Sequence, residues 1–526
     1  MKPLPSALRD PKVIFSTLIV ILALAARLIP GPRTIDDSFI TFRYARNLLA
    51  GSGFTYNPGQ PAVLGTTTPL YTLLMAGLGA LSGGVNAPFP ELALAVNALA
   101  DAATCLLLVW LGRRAGGRAA GWAAAAIWAV APFSVTFAIG GLETSLYVLL
   151  LTATAAAALA GRRVTAALLG ALALLTRPDA LILLGPLVIE RLIAYFSSHS
   201  GSKNIQLLGA TEGSGPKNRI FYEVLAFGLP VLAWGLFATL TFGSPLPNSI
   251  LAKAAAYHLV PSDALIRLIQ HYATPFLEQN LLGTPAAILI GIVLYPTLFV
   301  IGARQAWKAA PRLLPWMLYP WLYLVTFALP NPLIFRWYLT PPLPAYFLFI
   351  LLGLEGLLQK IPFSWKKTLI LGVLFILPLA PTLSDWRIHP DHGPDRPAPE
   401  MAFIKLELLY RQAAAKLFPL MDEHSLLAAG DVGVLGFYTP GRILDTVGLN
   451  SPVSSRYYPL PPEQYVINYA IPTQLILDQQ PDFVVMLEVY GRSTLLKDSR
   501  FLQEYHLLEK IDTELYGSDG MLIFTR

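Results

Sequence analysis

Two adjacent carboxylates, Asp36 and Asp37, stand just past the first long apolar segment and open the stretch DDSFITFRYARNLLAGSGFTYNPG. Carboxylates are costly to place beside hydrocarbon, so an acidic pair at the mouth of a membrane helix is a candidate for chemistry by default. A carboxylate so placed can take a proton from a hydroxyl. Asp36-Asp37-Ser38 can also cap the helix FITFRYARNLL, which accounts for one acid but not for two. Arg43 lies about two turns along the same helix, on the face of Asp36 and next to Tyr44, placed to orient the carboxylates.

Other polar groups recur in short breaks between apolar runs. GGLET (140–144) puts Glu143 at a turn, where a helix-start acid and a site acid are equally good readings. TRPDA (176–180) puts Arg177 before Pro178 at a helix start. Backbone N–H groups there favour anions, so Arg177 is a phosphate candidate; the bland alternative is a turn clasp with Asp179. GSPLPNSILAKA (243–254) offers Asn248 and Lys253, and NPLIFRWYL (331–339) offers Arg336; either cation can instead snorkel to the membrane interface. His258 and His271 are isolated, and neither HExxH nor any paired metal spacing occurs. Walker A, GxGxxG and GxSxG motifs are missing too, which leaves nucleotide-using and serine-hydrolase mechanisms unsupported.

The scaffold that must position these groups is apolar. Of 526 residues, 55% are hydrophobic and 13% charged, with mean hydropathy +0.55; soluble domains carry about 25% charged residues. Apolar runs fall at about 13–29, 91–111, 119–138, 142–160, 164–177, 180–196, 220–240, 284–302, 313–329, 338–358 and 368–384. Lys and Arg gather between them, as at Arg113, Arg114 and Arg118, which explains the net charge of +6 without nucleic acid. With these clusters inside, the chain is a polytopic α-helical membrane protein of about eleven transmembrane helices, its N-terminus cytoplasmic. Residues 66–82 fit that count only as an interfacial or re-entrant helix, capped by Thr68 with Pro69 at its first position. The Gly/Ser-rich stretch 197–219 reads as a flexible linker. The lone Cys105 rules out an internal disulfide.

The membrane part is expected to span 1–384, with the first outer loop at 30–65. A Pro-rich connector (385–398) leads to an extracytoplasmic α/β domain at 399–526. Its amphipathic helix at about 399–418 precedes strand-like runs at 425–430, 442–447, 481–487, 505–511 and 521–526, with helical patterns at about 463–479 and 494–503.

Taken in order along residues 10–390, the opening stretch followed by GTTTPLYTLL, GGLETSLY, LTRPDA, GSPLPNSILAK and FRWYLTPPLP resembles the GT-C membrane glycosyltransferases. The nearest likeness is to their arabinofuranosyltransferase-like branch, which acts in cell-envelope assembly; aminoarabinose and protein O-mannosyl transferases are more distant. Tyr71 stands where that branch leads one to expect Trp. The resemblance implies transfer of a hexosyl or pentosyl group from a polyprenyl-phosphate donor to an outer-face glycan, lipid or protein. It places the family's first-loop acid at Asp36 or Asp37. Such a donor carries a good leaving group, so the enzyme needs a base for the acceptor hydroxyl and cations for the departing phosphate. Arg177, Lys253 and Arg336 are the cations, the helix at 66–82 walls the lipid groove, and single displacement inverts the anomeric centre. Mg²⁺ is the one cofactor an acidic pair admits, but two carboxylates do not make a metal-ligand set. The rival readings are a transporter or flippase, which predicts internal repeats and mid-membrane charges, and a non-catalytic envelope scaffold.

Overall fold

A computed structural model describes residues 10–199, 218–360, 366–388, 393–402 and 404–526; most of the expected linker at 197–219 lies outside the described residues. Each of the eleven apolar segments is helical. In chain order the helices are α1 (Pro11–Leu28), α2 (Asp36–Leu49), α3 (Pro69–Leu81), α4 (Phe89–Arg114), α5 (Arg118–Val130), α6 (Pro132–Ile139), α7 (Thr144–Leu159), α8 (Arg163–Thr176), α9 (Leu181–His199) and α10 (Asn218–Phe242). They continue with α11 (Asn248–Ala256), α12 (Asp263–Ala273), α13 (Gln279–Leu282), α14 (Thr284–Ala309), α15 (Leu314–Ala328), α16 (Leu343–Leu358) and α17 (Lys366–Leu383).

Among the described residues, five helices are long and apolar enough to cross a membrane: Pro11–Leu28, Phe89–Arg114, Ile220–Phe242, Thr284–Ala309 and Arg336–Leu358. The α5–α6 pair makes a sixth if its 44° bend is one span. Pro132 causes that bend, because its ring forces Ala131 into an extended conformation (ψ 127°). Several of the other apolar helices are shorter, so length does not confirm eleven crossings. α3 has 13 residues, about 20 Å against a hydrocarbon core of about 30 Å. Pro69 stands at its first turn as expected, but the Thr68 side chain makes no capping bond and engages the Thr66 hydroxyl at 3.0 Å instead.

Burial separates inside from outside. α16 lies at the centre and packs on α14, with Leu348, Phe349 and Leu352 fully buried. α10 turns Leu229, Leu232, Leu236 and Leu240 outward. Such a continuous apolar exterior is stable against lipid and not against water, which makes this a multi-pass membrane protein.

After α17, the ribbon β1 (Trp386–Arg387) and β2 (Ala398–Pro399) leads to α18 (Lys405–Leu417). A five-stranded sheet follows, built from β3 (Leu426–Ala429), β4 (Arg442–Asp445), β5 (Phe483–Leu487), β6 (His506–Ile511) and β7 (Met521–Thr525) in the order β4-β3-β5-β7-β6. β4, β3 and β5 run parallel, while β7 is antiparallel to β5 and β6. Each strand coincides with one of the runs read from the sequence. The expected helix over 463–479 is confined to a turn at Pro462–Gln464 and α20 (Thr473–Gln479), since Pro472 starts the latter. Between β3 and β4 lies α19 (Gly433–Tyr438).

One packing relationship decides the site. α2 and the loop after it do not close on the membrane helices alone. Phe39, Phe42, Tyr44, Phe54 and Tyr56 share a single apolar core with Val434, Leu435, Ile443 and Val485 of the C-terminal domain. The first loop is therefore built into that domain.

Candidate active site

The two adjacent aspartates have opposite fates. α2 begins at Asp36 after an extended Ile35, and neighbouring side chains on a helix diverge by about 100°. Asp36 turns into the domain interface and is buried, its Oδ2 accepting from Gly433 N at 2.8 Å and its Oδ1 from Val434 N at 2.7 Å. Glycine is required at 433, because a methyl group there would overlap the Asp36 carbonyl. Burial, helped by the charge of Asp431, pushes the Asp36 carboxyl well above its usual range, against the pull of those two N–H groups. Glu407 accepts the Asp36 backbone N–H at 3.3 Å, and burial raises its carboxyl to about 7.

The rest of the α2 face also serves docking, which corrects the role expected of Arg43. Its guanidinium does not orient the carboxylates. It donates to the carbonyls of Tyr56 (2.8 Å), Gly441 (3.1 Å) and Gly436, which ring it in the interface. Tyr44 donates to Val63 O at 2.7 Å and meets Asn450 Oδ1 at 3.0 Å. Asn248 is likewise spent on the carbonyls of Gly448 and Leu449, at 2.6 and 3.0 Å. These three residues tie the first loop and α11 to the C-terminal domain.

Asp37 is the open carboxylate. Its side chain is 36% exposed and stands 3.8 Å from Lys253 Nζ, and among the described residues it makes no hydrogen bond. Lys253 comes from α11, its ammonium 4.7 Å from the Phe335 ring centroid. Burial pulls the Lys253 pKa down, but Asp37, Tyr338 and Asp445 together leave it raised. The ammonium is therefore charged at neutral pH.

From Phe335 the cluster continues through Tyr338 to Arg177, whose guanidinium lies 4.8 Å from the Tyr338 ring. Arg177 is buried and already neutralised, by Asp179 at 2.9 Å and Glu143 at 3.6 Å. The turn clasp is what forms here. A phosphate at Arg177 would have to compete with two carboxylates, whereas Lys253 faces one at a distance longer than a hydrogen bond. Arg336 is not in this cluster; it donates to Met401 O at 2.8 Å on the connector side. His271 is a core histidine, bonded to Leu339 O at 2.8 Å.

Several groups escaped sequence reasoning. Asp431 and Tyr257 are electrostatic neighbours of Asp37, and Glu407 and Asp445 are buried acids of the C-terminal domain. Asp445 accepts the N–H groups of Val447, Gly448 and Asn450, shaping the loop after β4. A signal for Asp431 existed, since an acid beside glycine directly after a β-run marks the end of a strand. Within the membrane part, Arg27 and Asp101 form a fully buried pair at 2.8 Å. A single acid inside the apolar run 91–111 was its signal.

The metal question turns on the same divergence. Both Asp36 oxygens are occupied, so the pair does not present two open carboxylates. Among the described residues, no group of three His, Cys, Asp or Glu side chains is placed to hold an ion.

A model of a domain of unknown function (DUF8728) matches residues 406–524. No curated protein matches the chain. Among solved structures, ArnT from Cupriavidus metallidurans is similar over 98% of both chains, with 12% identity and a TM-score of 0.58. The same protein bound to undecaprenyl phosphate gives 11% identity, coverage of 98% of this chain and 97% of that one, and a TM-score of 0.56. The Archaeoglobus fulgidus oligosaccharyltransferase AglB, in complex with an inhibitory peptide and a dolichol-phosphate, matches at 12% identity over 90% of this chain and 69% of that one, with a TM-score of 0.54. At these identities the likeness establishes the fold, which is that of GT-C glycosyltransferases, and does not single out the arabinofuranosyltransferase-like branch.

Proposed function

We propose that the chain is a membrane glycosyltransferase that moves a sugar from a polyprenyl-phosphate donor to an acceptor hydroxyl outside the cytoplasm, with inversion, and that Asp37 is its general base. The observation that carries this reading is the open Asp37–Lys253 pair, in a fold shared with a protein seen bound to undecaprenyl phosphate. A base must reach the proton it removes, and Asp37 is the first-loop carboxylate with free oxygens. Lys253 supplies positive charge beside it for the departing lipid phosphate, while the Arg177–Glu143–Asp179 clasp shapes the wall behind. The acceptor oxygen loses its proton to Asp37 as it attacks the anomeric carbon, and the C–O bond to the phosphate breaks with its electrons going to the phosphate. In this reading the N-terminus is cytoplasmic, the C-terminal domain is extracytoplasmic, and α3 lies at the interface. The sugar is a hexose or pentose and the acceptor a glycan, lipid or protein of the envelope. A transporter gains no support, since the buried charges Arg27 and Asp101 of the membrane part are locked to each other with no exposure.

The test is transfer of radiolabelled sugar from a panel of polyprenyl-phosphate donors by purified protein, beside Asp37→Asn and Asp36→Asn. Loss in folded Asp37→Asn with a product of inverted configuration is the expected result. Full activity in Asp37→Asn removes this residue from the mechanism, and a retained configuration removes single displacement.

A further inference from the structure

The parallel part of the C-terminal sheet has its own site geometry. β3 connects onward to β4 on one side, whereas β5 leads to the β7–β6 side. Adjacent parallel strands whose exits diverge leave a crevice beyond their carboxyl ends, where ligands bind in open α/β sheets. Asp431 follows the end of β3 and Tyr490 follows the end of β5, so both line that crevice. Asp431 accepts from the Tyr410 hydroxyl at 2.7 Å and meets the Tyr490 hydroxyl at 3.5 Å, and no cation pairs with it among the described residues.

This end of the sheet lies beside the first loop, because Gly433 and Val434, just past Asp431, bond to Asp36, the neighbour of Asp37. Asp431 is an electrostatic neighbour of both Asp37 and Tyr257. The rings of Phe335, Tyr257, Tyr469 and Tyr490 follow one another at 5.9, 5.9 and 5.1 Å from one domain to the other; Tyr469 and Tyr490 are buried behind, and Phe335 and Tyr257 are the half-buried members that reach the surface. The Tyr257 hydroxyl has no hydrogen-bond partner among the described residues. Asp37 therefore stands between two unlike surroundings, with Lys253 on one side and an uncompensated carboxylate with tyrosines on the other.

The geometry points to this crevice as the acceptor subsite, with Asp431 a substrate-contacting residue supplied by the C-terminal domain and the ligand an uncharged, polyhydroxylated sugar. The inference rests on the glycosyltransferase reading and deepens it. A phosphate-bearing donor is repelled by Asp431 and drawn toward Lys253. Neutral sugar hydroxyls donate to a carboxylate, and the sugar's C–H face packs on the half-buried Tyr257 and Phe335 rings. An acceptor held there presents a hydroxyl to Asp37 from the side opposite the phosphate, as an inverting displacement requires.

Two measurements on the purified full chain test this. In the transfer assay, Asp431→Asn raises the acceptor KM about ten- to hundredfold, the range for losing a hydrogen bond to a charged group. The donor KM stays as in wild type and the melting temperature does not fall, and Asp431→Glu restores part of the loss. An unchanged acceptor KM, or a donor KM that rises equally, overturns the assignment. The second measurement needs no turnover: saturation-transfer NMR with a panel of methyl glycosides. Signal in wild type that disappears in Asp431→Asn supports the subsite. Equal signal in both proteins, or signal in neither, overturns it. If glycosides bind in this way but no donor supports transfer, the subsite stands and the catalytic reading alone falls.

Discussion

Two of the chain's ion pairs, one at its functional end and one in its membrane part, are built in opposite ways. Arg27 and Asp101 meet at 2.8 Å with no exposure, and their remaining valences are filled. Asp101 also accepts from Trp128 Nε1 at 3.0 Å and Ser145 Oγ at 2.8 Å, while Arg27 donates to Ala23 O, Ala129 O and Ser134 Oγ. Asp37 and Lys253 stand 3.8 Å apart, 36% and 24% exposed, with no side-chain hydrogen bond among the described residues. The saturated pair can only hold shape, tying α1 and α4 to the break between α5 and α6. The unsaturated pair has hydrogen-bonding capacity left for a ligand. Ionic chemistry in a membrane protein is thus sorted less by residue type than by how many valences the fold leaves open.

The sharpest way to test that contrast is at the open pair. Asp37→Asn is expected to lower transfer by about 10²- to 10⁴-fold, the range for removing a general base. Its melting temperature in detergent should barely move, because an exposed pair is worth about 0–1 kcal/mol. The closed pair should respond the other way. Asp101→Ala leaves Arg27 buried without its partner, at a cost of about 3–5 kcal/mol in thermal or denaturant unfolding, and activity falls only with the folded fraction. Replacing both, as Arg27→Met with Asp101→Leu, should recover much of that loss; failure to recover would mean the pair does more than hold shape.

A smaller effect separates Asp36 from its neighbour. Asp36→Ala removes the acceptor of two N–H groups, and about 2–3 kcal/mol of docking energy should go with it. Faster proteolysis of the C-terminal domain reads this out, and Asp37→Ala should not reproduce it. The smallest effect is pH-dependent. Burial raises the Glu407 carboxyl to about 7, so its ionised form is disfavoured in the fold. The stability it contributes is complete below its unfolded value of about 4.3 and is lost as pH rises through about 7. Asp431 and Asp445, each raised to about 6, push the same way. Melting temperature should therefore fall between pH 5 and pH 8 by an equivalent of about 1–3 kcal/mol, and Glu407→Gln should flatten the slope.

Much of the architecture was legible in the chain because it depends on local pattern. Apolar runs of helical length produced helices at all eleven positions, and five short β-rich runs became the five strands of the sheet. Boundaries failed where a proline intervened, at Pro132 and Pro472, since the period of a run does not reveal its bend. Within the site, Asp37 and Lys253 were named as candidates and do meet. Arg43 and Tyr44 of the acidic loop and Asn248 of a later outer loop were named too, and turned out to bind oxygens of a domain that begins far along the chain.

The sequence by itself determined that this is an apolar, many-helix chain with an acidic first loop and a terminal α/β domain, because hydrophobic period and length act over a few residues at a time. Only the tertiary structure decided which carboxylate of an adjacent pair is free. Asp36 is taken by Gly433 and Val434, 397 and 398 residues away, and Asp37 is left facing Lys253. Side chains one residue apart on a helix diverge by about 100°, so two identical neighbours meet different surroundings, and no local pattern encodes what those surroundings are.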